Sequence, residues 1–410
     1  MDLQSRFSPE LYSRKGEIRM GFEFSERVKQ IPPYIFFEIE KILEEKKRAG
    51  VDIISLSIGD PDLPAPRFIL EALAKEAAKP ENHGYSNSRG EREFREAVAW
   101  WMKERFGVTV DPEREITALI GSKEGISHLT RAFVNPGEKV IIPDPGYPAY
   151  LNGGALLNDA QPLFMPLERE NHFLPDVDFI ASSKARILYV NYPNNPTGAV
   201  ADKWILRELV EVARDNKIII CYDNAYSEIT YQGYKAPSIL EVEGAMETAV
   251  ELHSFSKTFS MAGDRIGFAV GNNSLIEGIV KVKSQMDSGQ PKYIQHAAAQ
   301  ALRTYRNGEP PEEVRNNIAT YWERVKFLAK SLGEIGFECE VPKATYYVWA
   351  YCGGNSMETA RKLLDIGVAV TPGIGFGKHG EGFLRFSATR PINDIMEACN
   401  RLAKLRNILH

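Results

Sequence analysis

From about Val51 to Met286, short apolar runs rich in β-branched residues alternate with longer amphipathic runs, and that alternation limits the folds open to this chain. It predicts strands over 115–120, 139–143, 186–191, 218–222, 250–254 and 266–270. Helices are expected between them over 91–106, 123–133, 202–216 and 274–286. Strands separated by helices imply right-handed crossovers and a mostly parallel sheet covered on both faces. After Met286 the pattern changes to long helices over 293–306 and 311–335. Strands near 346–351 and 383–387 and a final helix over 392–408 follow. Residues 31–49 read as a short extended piece and then a charged helix. The expected architecture is therefore α/β, with a large domain over 51–290. Residues 1–50 would form an N-terminal arm and part of a small domain. Residues 291–410 would add a connecting long helix and the rest of that smaller α+β domain, built from both chain ends.

Composition removes several classes of function. The chain has 410 residues, long enough for two domains, and a net charge of −5 with no long run of one sign. Neither nucleic acid nor a membrane surface is favoured as a partner. Residues 1–21 are charged and interrupted by Pro9 and Gly16, unlike a secretory signal. No apolar stretch reaches the roughly 18 residues that cross a bilayer. Cys221, Cys339, Cys352 and Cys399 are scattered without metal-ligand spacing, and the seven histidines form no paired motif. No metal site is expected, and the chain suits a reducing cytoplasm.

Residues that could carry chemistry cluster at the predicted strand ends, where ligands sit in such sheets. The run Ser254-Phe255-Ser256-Lys257 is followed by Gly263-Asp264-Arg265-Ile266-Gly267. A lysine between hydroxyls, with an arginine eight residues on in a glycine-bracketed turn, is what a phosphorylated aldehyde cofactor needs. The amine forms a Schiff base while Ser254, Ser256 and Arg265 hold the phosphate. In the run from Asn191 to Gly198, prolines and a glycine fix a loop from which the Asn195 amide could donate to a phenolate oxygen; a plain turn is the other reading. Asp223 ends an apolar strand, where burial asks for a cation such as a pyridinium opposite it, with Tyr226 reaching the ring oxygen; a helix N-cap is the alternative. Gly121-Ser122-Lys123 offers free amides and a lysine to an anion. Tyr147, in Pro145-Gly146-Tyr147-Pro148, offers a face to a planar ring or a side chain to the core. Arg385, inside the apolar run Leu384-Arg385-Phe386-Ser387, must be paired, by a substrate carboxylate or by a structural partner.

In this order and together, these motifs resemble the fold-type I pyridoxal-phosphate aminotransferases of class I/II, from about Tyr34 to the C-terminus. The resemblance implies a seven-stranded-type sheet sandwiched by helices as the pyridoxal-phosphate domain. Lys257 would be the Schiff-base lysine and Asp223 the partner of the pyridine nitrogen. Asn195 and Tyr226 would bind the ring oxygen, and Tyr147 would stack on the ring. Ser122, Lys123, Ser254, Ser256 and Arg265 would surround the phosphate, and Arg385 would take the substrate α-carboxylate. Tyr85 matches a tyrosine that reaches the neighbouring subunit's phosphate, which implies a homodimer with shared sites. The glycine-rich run 373–377 reads as a family loop, not as a dinucleotide fingerprint.

Within the class, three details are similar to the LL-diaminopimelate branch: Tyr34 in Pro33-Tyr34-Ile35-Phe36, Gly59 in Ser57-Ile58-Gly59-Asp60, and Lys123. They imply a substrate with amino and carboxylate groups at both ends, contacted by Tyr34, Gly59, Lys123, Tyr147, Asn195 and Arg385, and 2-oxoglutarate as acceptor. Two segments depart from that branch: Asn87-Ser88-Arg89 lacks a glutamate, and Asp287-Ser288-Gly289-Gln290 lacks an asparagine. An alanine, aspartate or aromatic aminotransferase, or a lyase on the same fold, remains the alternative.

Overall fold

The computed structural model describes residues 22–33 and 35–404, leaving aside the side chains of 35–38. Tyr34 lies outside the described residues, as do 1–21 and 405–410. Among the described residues twelve strands run in chain order: β1 (Ile54–Ser55), β2 (Ile116–Leu119), β3 (Lys139–Asp144), β4 (Gln161–Pro166), β5 (Ile187–Val190) and β6 (Ile219–Asp223). They continue with β7 (Ala249–Ser254), β8 (Gly267–Gly271), β9 (Tyr347–Tyr351), β10 (Val368–Ala369), β11 (Thr371–Pro372) and β12 (Phe383–Ser387).

Seven of these strands form one sheet in the order β2-β8-β7-β6-β5-β3-β4. All pairs are parallel except those of β8, which runs antiparallel to both β2 and β7. Every residue of β5 and β6 is buried, as a strand covered on both faces demands. The predicted runs account for six of the seven. The seventh, β4, lay outside the predicted runs and carries Pro162 and Pro166. Proline lacks the N–H that a central strand donates, and β4 sits at the edge, paired only with β3.

One face of the sheet is covered by the helices Arg92–Phe106, Lys203–Asn216 and Lys292–Leu302, packed through residues such as Trp101, Leu209 and Ala298. The other face takes Ser122–Phe133 and Asn273–Lys283. Each fully buried Leu, Ile or Phe on these faces contributes about 1.5–3 kcal/mol. The ends follow local chemistry. Gly107, at φ 73°, stops the helix Arg92–Phe106. The Asn272 side chain accepts from the amides of Ser274 and Leu275 to start the helix Asn273–Lys283.

A smaller layer holds the antiparallel sheet β11-β12-β9, covered by Glu312–Ile335 and Ile392–Ala403. Beside it β1 pairs in parallel with β10, so residues from near both chain ends meet. The glycine-rich run after β11 is a tight turn, Gly373–Phe376. Among the described residues no helix is long and apolar enough to cross a membrane.

Candidate active site

A cavity of about 340 Å³ opens where strands of the large sheet end, and nearly every residue singled out in the sequence lines it. Gly59, Ser122, Lys123, Tyr147, Asn195, Asp223, Tyr226, Ser254, Ser256, Lys257, Arg265 and Arg385 all face it. Tyr85 does not. It is 88% exposed, on a loop whose recess is shared with Ser86, Gln290 and Tyr293. Tyr34 lies outside the described residues.

The Lys257 amine is among the lining groups. Lys257 follows β7 in the single turn Phe255–Thr258, and its Nζ donates to the Gly59 carbonyl at 2.9 Å. The Ser254 side chain starts that turn by accepting from the Ser256 amide at 3.2 Å. At one end of the cavity Ser122 opens the helix Ser122–Phe133 and Arg265 precedes β8. Gly121, at φ 103°, is required there: a Cβ would lie 2.5 Å from Arg265 Nη2. Burial first, and then the neighbouring Arg265, hold the Lys123 amine below its ordinary 10.5. Two cations and a helix N-terminus at one spot suit a polyanion such as a phosphate.

Asp223 ends β6. Its Oδ2 accepts from the Tyr150 hydroxyl at 2.9 Å, whereas Oδ1 is buried without a partner among the described residues. Burial pushes the carboxyl from 3.8 up to about 6, against the opposing pull of Tyr150, the Ala225 amide and His253. A buried carboxylate oxygen left open toward a cavity is costly unless a cation arrives. The helix N-cap alternative does not describe it, since no helix begins here. Tyr147 packs edge-on against Tyr150, with ring centroids 5.8 Å apart. The residues present thus fit pyridoxal 5′-phosphate: an open anion for the ring nitrogen, an amine for the aldehyde and a cationic corner for the phosphate.

The same cavity is lined by Arg385, 1% exposed, on β12. Its Nη1 donates to Asn195 Oδ1 at 2.7 Å and its Nη2 to the Ser57 carbonyl at 2.7 Å. The guanidinium lies 4.3 Å from the Tyr347 ring centroid and 4.7 Å from that of Phe376. Asn195 is itself placed by Asn191, whose Oδ1 accepts from the Asn195 amide at 2.8 Å. Asn191 Nδ2 in turn donates to the Asp223 carbonyl at 2.7 Å, tying the two loops together. The Tyr226 hydroxyl is 2.8 Å from that of Tyr347.

Sequence reasoning missed Tyr150, Asn191 and Tyr347 as site residues. Asn191 opens the very loop that drew attention to Asn195. Tyr150 lies three residues after Tyr147, one helical turn on. The doublet Tyr346-Tyr347 in an apolar strand carries no signal beyond that of core. Among the described residues no three His, Cys, Asp or Glu side chains gather as a metal cluster.

Known proteins are similar to this chain over most of its length. The profile of the family described as aminotransferase class I and II matches residues 51–402. An LL-diaminopimelate aminotransferase of Desulforudis audaxviator is 46% identical over 389 residues, 93% of this chain and 98% of the relative. Another, from Aquifex aeolicus, is 46% identical over 391 residues, 94% of this chain and 100% of the relative. The solved structure of substrate-bound BacF from Bacillus subtilis superposes with a TM-score of 0.87 at 36% identity, covering 94% of this chain and 98% of that one. With the match spanning all three sheets and the whole cavity, the chain belongs to the class I and II aminotransferases, a family that works with pyridoxal 5′-phosphate.

Proposed function

We propose that this protein moves an amino group from LL-2,6-diaminopimelate to 2-oxoglutarate, the reaction that would serve lysine biosynthesis. The observation that carries the reading is one cavity lined by the Lys257 amine, by the Asp223 carboxylate with one unpaired buried oxygen, and by the cations Lys123, Arg265 and Arg385. Full-length likeness to relatives named for LL-diaminopimelate supports the substrate. When bound, pyridoxal 5′-phosphate supplies an aldehyde that takes the amino group and a cationic ring that withdraws electrons from Cα.

The chain's own residues do the rest. Lys257 Nζ would hold the cofactor's aldehyde and, once free, would serve as the base that takes the proton from the substrate Cα and the acid that gives it back. The Gly59 carbonyl holds that amine within the cavity until then. Asp223 would pair with the ring nitrogen and keep it protonated, with Tyr150 holding one carboxylate oxygen. Asn195 and Tyr226 would donate to the ring oxygen, and Tyr147 would offer its face to the ring. Ser122, Lys123, Ser254, Ser256 and Arg265 fix the phosphate. Arg385 grips the α-carboxylate as a planar fork, which sets the Cα–H bond for transfer. Gly59 would lie at the substrate carboxylate, Tyr34 would contact the substrate, and Lys123 would reach its far end. A first half-reaction releases a 2-oxo acid and a second consumes one, so the kinetics are ping-pong.

We assign a homodimer, in which the exposed Tyr85 reaches the partner's phosphate, and a cytoplasmic setting, which the free thiols of its four cysteines suit. The test is a substrate panel on the purified holoenzyme. Glutamate should form from LL-diaminopimelate and 2-oxoglutarate much faster than with alanine or aspartate as donor. Turnover confined to alanine or aspartate would end the substrate assignment; ammonia released without an acceptor acid would end the transfer assignment.

A further inference from the structure

Tyr347, on β9 and 2% exposed, touches three parts of the site that come from distant stretches of chain. Its hydroxyl lies 2.8 Å from the Tyr226 hydroxyl. Its ring forms one side of the aromatic sandwich on the Arg385 guanidinium, at 4.3 Å, with Phe376 as the other. The hydroxyl also closes on Gly59, where a Cβ would lie 2.0 Å from it, and the Gly59 carbonyl is the acceptor for Lys257. Glycine at 59 is thus what lets this tyrosine into the site.

A hydroxyl has a single proton to donate, so only one of two facing hydroxyls can donate across their contact. Burial, followed by the neighbouring Tyr347 and Tyr346, holds Tyr226 well above its ordinary 10, so it keeps its proton at neutral pH. Arg385 is the charged group bearing on it, and acts in the opposite sense. If Tyr226 spends its proton on a ligand oxygen, Tyr347 has to donate to Tyr226.

We propose that Tyr347 is a positioning residue for the transamination: its hydroxyl aims the Tyr226 O–H at the cofactor's ring oxygen, and its ring holds the plane of the Arg385 guanidinium. This role rests on the aminotransferase reading of the cavity. It separates into two parts that two substitutions pull apart. Tyr347→Phe removes the hydroxyl and keeps the ring, whereas Tyr347→Leu removes both. Without its donor Tyr226 becomes a weaker donor, negative charge on the ring oxygen is less well compensated, and the neighbouring Lys257-linked nitrogen holds its proton more tightly.

The experiment compares wild-type holoenzyme with both variants by the pH midpoint of the bound cofactor's visible absorbance, and by KM and kcat for donor and acceptor. Tyr347→Phe should raise the midpoint by about half a pH unit and leave both KM values within about twofold. Tyr347→Leu should raise the midpoint as well and raise both KM values about tenfold, so that phenylalanine rescues binding and not the midpoint. An unmoved midpoint in Tyr347→Phe, with normal wild-type behaviour, overturns the role of Tyr347 alone. So does a loss of substrate affinity equal in the two variants. A wild-type protein with no visible absorbance and no reduced adduct on Lys257 overturns the reading of the cavity, and this role with it.

Discussion

Asp223→Asn in the cofactor-free protein offers a sharp test, because it should make the fold more stable while removing activity. The carboxyl is fully buried and pushed from 3.8 to about 6. A folded-state value above the unfolded one means that the ionised group opposes folding at high pH, and that the penalty is relieved as pH falls through 6 toward 3.8. A rise of that size corresponds to about 3 kcal/mol above pH 7, about half as much at pH 5, and almost nothing below 3.8. Asparagine keeps the shape and still accepts from Tyr150, whose hydroxyl lies 2.9 Å from Oδ2. Urea unfolding of stripped protein, at fixed concentration, should therefore give the variant the higher midpoint at pH 8 and a smaller lead at pH 5. Adding pyridoxal 5′-phosphate should reverse the order, since ligand binding stabilises only the form that binds it tightly. Equal midpoints at pH 8 without cofactor, or an equal gain from cofactor in both proteins, would refute the claim that this carboxylate is held at a cost for an incoming cation.

Lys257→Ala should abolish turnover, and borohydride followed by peptide mass spectrometry should find no pyridoxyl adduct, whereas the wild type carries one on that peptide. Arg385→Lys loses the planar fork that now spans Asn195 and Ser57, and should lower kcat/KM about thirtyfold in steady-state assays, with KM raised and kcat lowered. Glu124 lies in the first turn of the Ser122–Phe133 helix and binds the Ile120 amide, His128 and the fully buried Lys283. Burial acts against its charge, but these partners prevail and hold it near 2 rather than 4.5. A carboxyl lowered in this way stabilises the fold above pH 4.5 and loses that contribution as pH falls toward 2. Glu124→Gln should thus lose about 3 kcal/mol in urea unfolding at pH 7 and progressively less below pH 4.5.

What the sequence made legible was governed by short range. The β-branched runs announced β5 and β6 because a strand buried on both faces must be apolar throughout. Local loop chemistry announced Lys257, Asp223 and Asn195. β4 escaped because its two prolines are tolerable only at a sheet edge, and edge position is a property of the assembled sheet. Tyr150 and Tyr347 escaped for a similar reason. Each acts through a partner 73 or 121 residues away, and nothing in their neighbours distinguishes them from core tyrosines. For Arg385 the burial was legible and the partners were not: an amide and a backbone carbonyl already hold it, so its pairing alone does not identify a carboxylate site.

The reversed strand β8 is the part of the topology that makes the cationic corner at Ser122, Lys123 and Arg265 possible. Parallel strands deliver their C-terminal ends to one edge of the sheet, which is how Asp223 and Ser254 arrive beside each other. A further parallel strand between β7 and β2 would bring its last residue to that edge and send its first residue to the other. Because β8 runs antiparallel, Gly267 at its start pairs with Ser254 on one side and Leu119 on the other. Arg265, two residues earlier, is thereby set against Gly121 and the amide-rich start of the Ser122–Phe133 helix. A direct connection from Lys257 to β8 then spans only a few residues, with no crossover helix. That short path is why lysine and arginine lie eight residues apart in sequence and line the same cavity.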